Sequence, residues 1–560
     1  MKFLHLRILV ILIALSLVFR QQVTAQALII PLNDDYVAAS DYPFVNMSPG
    51  DTVWLQSGTR GFLKIANFHG LPGKPIVFAN LNGQVIFDTD HNYGLVFSNC
   101  SFFKLTGISG SFGKYGIYIR RVNNPDGFGI AAGEKCTDLE IENCEVAHVG
   151  FAGIQARTEP ECDDISTWRG AFTQYNTLIH DCYVHHVGGE GLYIGYTSYD
   201  SVYLSPCKKK VLGPVLVGTR IYNNRIDSTG YDGIQVSSAT SDCEIHHNTL
   251  TDCSYRMVTS QMSGIMIGGG TQAKCYNNKI IDPYTTGIVV LGKGGTKIFN
   301  NLIIRPAKRY YPDSVALREY GIYVADKTFD DQSYDGIFNN TIIQPKSDGI
   351  RIVNSVHFPV RIFNNSVIDP GAFDVYEHDN TDREGKDSYV YDDGHFGNIV
   401  ASNNYFGRSL DTARFVNVAG NNFRLQLISP MVNSGKSLID EGVIMDLDDR
   451  ARPVAGVFDV GAYEYSPSQT VGYVEEVADF TLGSLTVDPS RQLIVNVVGS
   501  RGMKVNLSLI DRLGRVIYQQ QGLEISMGNN KLTLPANNSG LVILTIQSDR
   551  LKYARKIILL

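Results

Sequence analysis

The chain has 560 residues, 44% of them hydrophobic, with a formal net charge of −7 and 54 glycines. That is ample for a large core and leaves room for more than one domain. The mild acidity leaves no general basic face, so nucleic acid is not expected as a partner, although a local basic cleft stays open; the chain is expected to be a monomer.

At the N-terminus, Lys2 and Arg7 precede the apolar run Ile8–Phe19, and Val23-Thr24-Ala25 offers small residues for cleavage. Residues 1–25 therefore read as a secretory signal peptide. The run is short for a bilayer span, and an uncleaved anchor is the alternative. Nine cysteines in an exported chain allow disulfides, and the odd number leaves at least one thiol free.

From residue 26 to 465 one phrase returns: an apolar residue, a variable one, then Asn-Asn or a close variant. The second Asn falls at Asn224, Asn248, Asn278, Asn301, Asn340, Asn365 and Asn404, and two earlier copies place Cys144 and Cys182 in the same column. The steps are 38, 42, 24, 30, 23, 39, 25 and 39 residues, and the short ones cluster near 23–25. A period in that range marks a solenoid. Between these phrases lie Gly153-Ile154, Gly191-Leu192, Gly233-Ile234, Gly264-Ile265, Gly287-Ile288, Gly321-Ile322 and Gly349-Ile350, each followed by alternating apolar residues. Alternation with period two is a strand signal, and Asn suits a bend that repeats in every coil. The expected fold is all-β: a right-handed parallel β-helix, its hand following from the usual crossover preference. A sandwich would not explain an Asn column at a fixed phase.

The long steps locate insertions. Extended loops follow the Gly-Ile strand at 158–175, 196–218, 326–335 and 378–398, and others precede it at 251–262 and 305–320. A sheet walled by long loops makes a groove, and a groove along a solenoid suits an extended polymer, here a polysaccharide. Its outward residues are expected to include Tyr118, Arg120, Gln155, Arg157, Tyr193, Gln235, Ser237, Met266, Tyr323 and Arg351. Tyr offers a flat apolar face for sugar rings and Arg a planar fork for carboxylate or sulfate; a merely solvated sheet face has a similar composition. Cys162 and Cys207 lie in two of the loops and can pair. Cys144 and Cys182 can form either a disulfide or a stack of buried thiols.

Aligning the copies on their Gly puts Ala152, Glu190, Asp232, Ser263 and Asp348 in one column. Glu190 and Asp232 fall on neighbouring coils, with backbones ~5 Å apart. Two carboxylates that close do not both ionise cheaply, so they make an acid/base pair of the kind glycosidases use. The same pair suits calcium, a hard cation that takes oxygen ligands, with a Lys or Arg base for β-elimination on a uronate polymer. Ordinary turn acids remain the third possibility. His186, four residues before Glu190, is a candidate proton relay with Arg157 nearby.

Character changes near Ser466. Residues 466–479 are a polar linker, and strands at 492–498, 504–511, 516–520, 531–534, 541–547 and 554–560 form a small β-sandwich. Leu485-Thr486-Val487-Asp488-Pro489, Asp511-Arg512-Leu513-Gly514-Arg515-Val516, Ser539-Gly540-Leu541 and Lys552-Tyr553-Ala554-Arg555-Lys556 resemble the C-terminal sorting domain of type IX secretion cargo, over about residues 480–560. The resemblance departs at Asp488-Pro489-Ser490, where a Pro-Asn-Pro phrase is usual. It implies the type IX secretion machinery as a partner and export to the medium or the outer-membrane surface.

The solenoid resembles the secreted parallel β-helix proteins of the pectate-lyase, chondroitinase B and polygalacturonase kind, over about residues 28–465. The likeness rests on Pro49-Gly50-Asp51-Thr52-Val53, Gly73-Lys74-Pro75-Ile76-Val77-Phe78 and Gln84-Val85-Ile86-Phe87. At the other end it rests on Asn433-Ser434-Gly435, Arg452-Pro453 and Asp459-Val460-Gly461-Ala462-Tyr463-Glu464. It implies a polysaccharide-cleaving enzyme, a lyase or a hydrolase. Fold does not settle reaction, however, and a non-catalytic glycan-binding or adhesion protein is the alternative.

Overall fold

The computed structural model describes residues 28–107, 114–307, 309, 319–326, 333–353, 359–371, 389–393, 398–454 and 456–466. Beyond these it describes 480–487, 492–499, 502–511, 515–526, 528–535, 540–547 and 552–559. The signal segment, linker residues 467–479, Asp488-Pro489-Ser490, Arg512-Leu513-Gly514, Ser539 and much of the loops near 310, 330 and 380 lie outside the described residues.

Contacts divide the chain into two units, Met1–Tyr465 and Ser466–Leu560. The first is a parallel β-helix in which each coil lays a short strand on each of three faces. The first face includes Ala239–His246, Ala273–Tyr276, Lys297–Phe299, Asp335–Phe338 and Val360–Phe363, each parallel to the next. The Asn-Asn bend follows. The second face includes Arg225–Thr229, Thr249–Thr251, Lys279–Ile281, Leu302–Ile304 and Thr341–Ile343. The third is a twelve-stranded sheet containing Ile154–Ala156, Leu192–Ile194, Ile234–Val236, Ser263–Ile267, Thr286–Val290, Ile322–Val324 and Ile350–Ile352.

Strand alternation sends every second side chain inward. Ile234, Ile265, Ile288, Ile322 and Ile350 therefore stack as one buried row. Ile245, Cys275, Ile298, Ile337 and Ile362 form another. No coil could bury these rows alone; the stack makes the core. The recurring glycine has a packing cause. A Cβ on Gly264 would lie 2.8 Å from the Gly287 carbonyl and 2.7 Å from Ile280 Cγ2, and one on Gly287 would lie 2.6 Å from the Gly321 carbonyl.

The two residues of the Asn-Asn phrase divide the work. The first turns the chain at positive φ, as at Asn223, Asn277, Asn300, Asn339, Asn364 and Asn403. The second is buried and builds an amide ladder. Nδ2 of Asn248 donates to Asn278 Oδ1, Asn278 to Asn301 and Asn301 to Asn340, each at 3.0 Å. Each Nδ2 also donates to a backbone carbonyl of the preceding coil, as Asn278 does to Ile245 at 2.9 Å. Cys182 caps the ladder, its N–H donating to Asn224 Oδ1. Cys144 and Cys182 are buried free thiols, whereas Cys162 and Cys207 form a disulfide.

A closing segment after residue 410 folds back over the coils. Met431, Leu447, Val460 and Tyr463 pack on Ile304, Ile343 and Ile368 of the second face. First-position asparagines hold it by donating to its carbonyls: Asn277 to Asp446 at 3.0 Å, Asn300 to Met445 at 2.6 Å and Asn339 to Asp459 at 2.8 Å. The second unit is antiparallel. A three-stranded sheet, Phe480–Val487, Gln492–Gly499 and Gly528–Pro535, and a four-stranded sheet share a core of Leu493, Val495, Val505, Leu507 and Leu544. Among the described residues no helix is long and apolar enough to cross a membrane.

Candidate functional site

The third face presents Gln155, Tyr193, Gln235, Met266, Val289, Tyr323 and Arg351 in one outward register. Two of the long loops stand beside its early coils. Loop 158–175 turns through Ile165–Thr167, where the Asp164 carboxylate accepts from Ser166 and pairs with Lys135 at 2.9 Å. Loop 196–218 carries the antiparallel pair Val202–Leu204 and Lys209–Val211. The Cys162–Cys207 disulfide ties the loops together. Arg169 braces them further, donating to the carbonyls of Gly213 at 2.9 Å and Tyr199 at 2.6 Å. The run Lys208-Lys209-Lys210 belongs to this exposed hairpin, with Lys209 over the Trp168 ring.

Under the loops the side chains interlock. The Arg157 guanidinium lies 4.6 Å from the Tyr193 ring centre and 5.3 Å from that of Tyr196, with Glu159 as its ion partner at 2.5 Å. The hydroxyls of Tyr193 and Thr197 are 2.8 Å apart, and Gln235 Nε2 donates to Thr197 at 3.0 Å. Gln155 Oε1 and Ser237 Oγ are buried without a partner. Farther along, Arg351 is committed to Asp393 at 2.9 Å and Asp348 at 3.0 Å, beside Tyr320, which stacks on Tyr323. Tyr196, Thr197 and Glu159 were not anticipated from the repeat, because they lie in insertions outside its register.

Glu190 and Asp232 are neighbours, as the column requires. Gly153 N donates to Glu190 O and Gly191 N to Asp232 O, so the ladder extends one residue before each Gly. Both residues are 0% exposed, so neither carboxyl opens on the groove as a pair meeting a polymer there would need to. Parity is the reason: Glu190 stands two residues before inward Leu192, and Asp232 two before inward Ile234. Ser263 Oγ donates to Asp232 Oδ1 at 2.6 Å, while both Glu190 oxygens and Asp232 Oδ2 have no partner. Burial lifts the Glu190 carboxyl to about 7, against the pull of Arg157. Burial lifts Asp232 well above the carboxylate range, and the charge of Glu190 adds to it. The column continues through Ser263 and Thr286 to Tyr320; buried Glu319, one residue earlier, accepts from Thr286 N at 3.0 Å and Oγ1 at 2.6 Å and is also lifted to about 7.

The remaining candidates are dispersed. Tyr118 and Arg120 do not belong to the third face. Their strand, Ile117–Val122, pairs with Cys144–Val149 in the large sheet, because this coil reaches the third face only at Phe128–Gly133. Gly116-Ile117 imitates the phrase without its position. Arg120 is bound to Asp88 at 2.9 Å. His186 is exposed at positive φ and does not reach inward to Glu190. It clusters with His185, nitrogen to nitrogen at 2.9 Å, and with His148. His185 in turn contacts Glu145 at 3.2 Å. Among the described residues, Glu140, Glu142 and His180 form a group with metal-like spacing. Lys104 Nζ already stands 2.7 and 2.8 Å from the two carboxylates and supplies the charge a cation would bring.

Residues 217–405 match the family model of the right handed β helix region. No curated protein matches the chain. Among solved structures it is similar to the A-module of the Azotobacter vinelandii mannuronan C-5 epimerase AlgE6, at 14% identity and a TM-score of 0.38, covering 64% of this chain and 91% of that one. It is also similar to the enzymatically active domain of bacteriophage CBA120 tailspike protein 2, at 10% identity and TM-score 0.29 over 92% and 66% of the two chains. A third is the tailspike gp49 of Acinetobacter baumannii bacteriophage Fri1, a capsular polysaccharide depolymerase, at 9% identity and TM-score 0.23 over 96% and 80%. At TM-scores this low none of them bears on substrate or reaction.

Proposed function

We propose that this chain is a secreted carbohydrate-active β-helix protein that lays an extended, uronate-bearing polysaccharide along the third face and cleaves it by elimination or hydrolysis. The observation that carries the reading is the disulfide-tied pair of loops standing over Arg157, Tyr193, Gln155 and Gln235. Arg157 is a planar fork whose one ion partner among the described residues, Glu159, is largely exposed and open to displacement by a sugar carboxylate. Half-buried Tyr193 and Gln155 offer hydroxyl and amide groups to sugar hydroxyls, while Gln235, buried and donating to Thr197, holds the loop in place. Glu190 lies within electrostatic reach of Arg157, and a carboxyl titrating near 7 is suited to proton donation at neutral pH. Calcium is the alternative use of the same pair, in which both carboxyls are ionised and Glu190 is not the proton donor. The three unpartnered oxygens of Glu190 and Asp232 are hard donors, and calcium takes about six to eight, so others must come from backbone or solvent. Export through the C-terminal unit, by its resemblance to type IX sorting domains, completes the proposal. A chain lacking residues 466–560 should then stay inside the outer membrane of a type IX-competent host.

Binding without cleavage is the second reading, favoured by the complete burial of both acids. One assay separates the two: the purified chain is incubated with uronic and neutral polysaccharides, with and without calcium. New ultraviolet absorbance from unsaturated uronates means elimination, and new reducing ends alone mean hydrolysis. Binding with no product establishes the second reading. Neither binding nor product on any uronate polymer overturns both. Glu190→Gln is expected to lower turnover at least a hundredfold, and full activity in that variant removes Glu190 from the chemistry.

A further inference from the structure

The first face carries outward side chains of a different kind. His180, Tyr222, His246, Tyr276 and Phe299 stack ring on ring, with centres 4.4, 5.1, 4.7 and 4.8 Å apart and planes within 9° of parallel. Two residues upstream on the same strands runs a charged column, Arg220, Glu244, Lys274 and Lys297. The closing segment reaches this face and leaves a cavity of about 520 Å³. Its walls include Glu244, Lys274 and Tyr276 from the sheet, and Asp440, Ile444 and Asp449 from the closing segment.

The wall chemistry is specific. The Tyr276 hydroxyl donates to Glu244 at 3.0 Å, and a His247 ring nitrogen lies 2.7 Å from Asp449. Lys297 is held by the Glu441 carboxylate at 3.0 Å, while Lys274 is well exposed, 3.5 Å from Glu244. Four carboxylates, Glu244, Asp440, Glu441 and Asp449, thus face two ammonium groups, Lys274 and Lys297. Arg361 also binds Glu441, at 2.9 Å, and Arg220 stands 3.8 Å from Glu244 with Asp242 as its nearer partner, so the negative charge left over sits on exposed Asp440 and Asp449; it disfavours uronates, sulfates and phosphates and favours hydroxyl and ammonium donors. Exposed Ile444 and Met445 supply an apolar wall for the C–H face of a pyranose ring. The volume lies in the range of small-ligand sites, roughly 300–1,000 Å³.

We propose that this cavity is a second carbohydrate site, selective for a sugar unit without an acid group and strongest for an amino sugar. It is separate from the third face and has the opposite charge preference, so it anchors a glycan chemically different from the one held beside Arg157.

Calorimetric titration of the full chain with tetraglucosamine, tetra-N-acetylglucosamine, tetragalacturonate and spermidine tests it. Tetraglucosamine is expected to bind best and its N-acetylated form more weakly, and Arg157→Gln should leave both unchanged. Ile444→Arg fills the cavity with a like charge and should weaken tetraglucosamine at least tenfold without lowering the melting temperature. Asp440→Asn, on an exposed side chain, should weaken it about threefold and guards against a folding defect in the first variant. The proposal is overturned if neither glucosamine tetramer binds, if binding ignores both variants, or if spermidine binds as tightly as tetraglucosamine. Loss of binding in Arg157→Gln with retention in Ile444→Arg assigns the ligand to the third face and overturns it equally.

Discussion

At the bend between the first and second faces, Asn248, Asn278, Asn301, Asn340 and Asn365 bury their amides completely, and each is bonded to the next. At the corner before the third face, Glu190 and Asp232 bury carboxyls just as completely, and three of their four oxygens have no partner. An amide carries both donor and acceptor, so a column of identical amides satisfies itself at any length. An ionised carboxylate only accepts. Neighbours in such a column repel, find no donor in one another, and must take up protons instead. The asparagine corner is therefore scaffold. The acid corner stores unfavourable free energy that a purely structural coil could avoid with Ala, as the preceding coil does at Ala152. Perturbed carboxyls of this sort concentrate at functional sites.

Four measurements break or sharpen that contrast. Asn278→Ala leaves the Asn248 amide, the Ile245 carbonyl and the Asn301 oxygen each short of a bond inside the coil. Denaturant unfolding should show a loss of about 4 kcal/mol, and a loss under 1 would remove the ladder's structural role. Glu190→Gln should do the reverse at high pH. The folded carboxyl stays protonated up to about 7 and ionises from its ordinary 4.5 once unfolded. Between those values the unfolded chain binds fewer protons, so stability is full below 4.5, falls as pH rises, and levels off above 7. The variant lacks this slope and should gain roughly 3 kcal/mol relative to wild type between pH 4.5 and 8. Parallel curves for the two proteins would place Glu190 in contact with solvent. On the outward side of the same coils, Tyr193→Ala should weaken binding of a uronate polymer about tenfold, near 1.4 kcal/mol, in a salt-controlled titration. Unchanged affinity there would move the polymer off the third face. The smallest effect belongs to the first asparagine column. Asn277→Ala, losing its bond to the Asp446 carbonyl, should cost about 1 kcal/mol and raise amide exchange in the closing segment, not in the coil interior.

Much of this was legible in advance. The phase of the Asn phrase and the Gly-Ile strands placed coils, register and the outward row from Gln155 to Arg351, because stacking lines up equal positions. The Cys162–Cys207 pairing was legible as a possibility, since both fall in insertions on neighbouring coils. The adjacency of Glu190 and Asp232 followed from the column, and their inward direction was legible too, by parity with Leu192 and Ile234. Tyr118 and Arg120 misled because Gly116-Ile117 copies the local phrase on a different face, and only pairing partners distinguish the faces. The interlock of Arg157 with Tyr196, Glu159 and Thr197 was not legible, because insertions follow no period.

What the sequence by itself determined is the solenoid, its repeat and the buried rows, since these arise from short-range alternation multiplied by stacking. Tertiary structure decided the rest. It laid two loops over the third face and brought Asp440–Asp449 back onto strands about 150–200 residues earlier to close the cavity. Contacts of that separation depend on where loops and the closing segment return, and no local pattern encodes the return path.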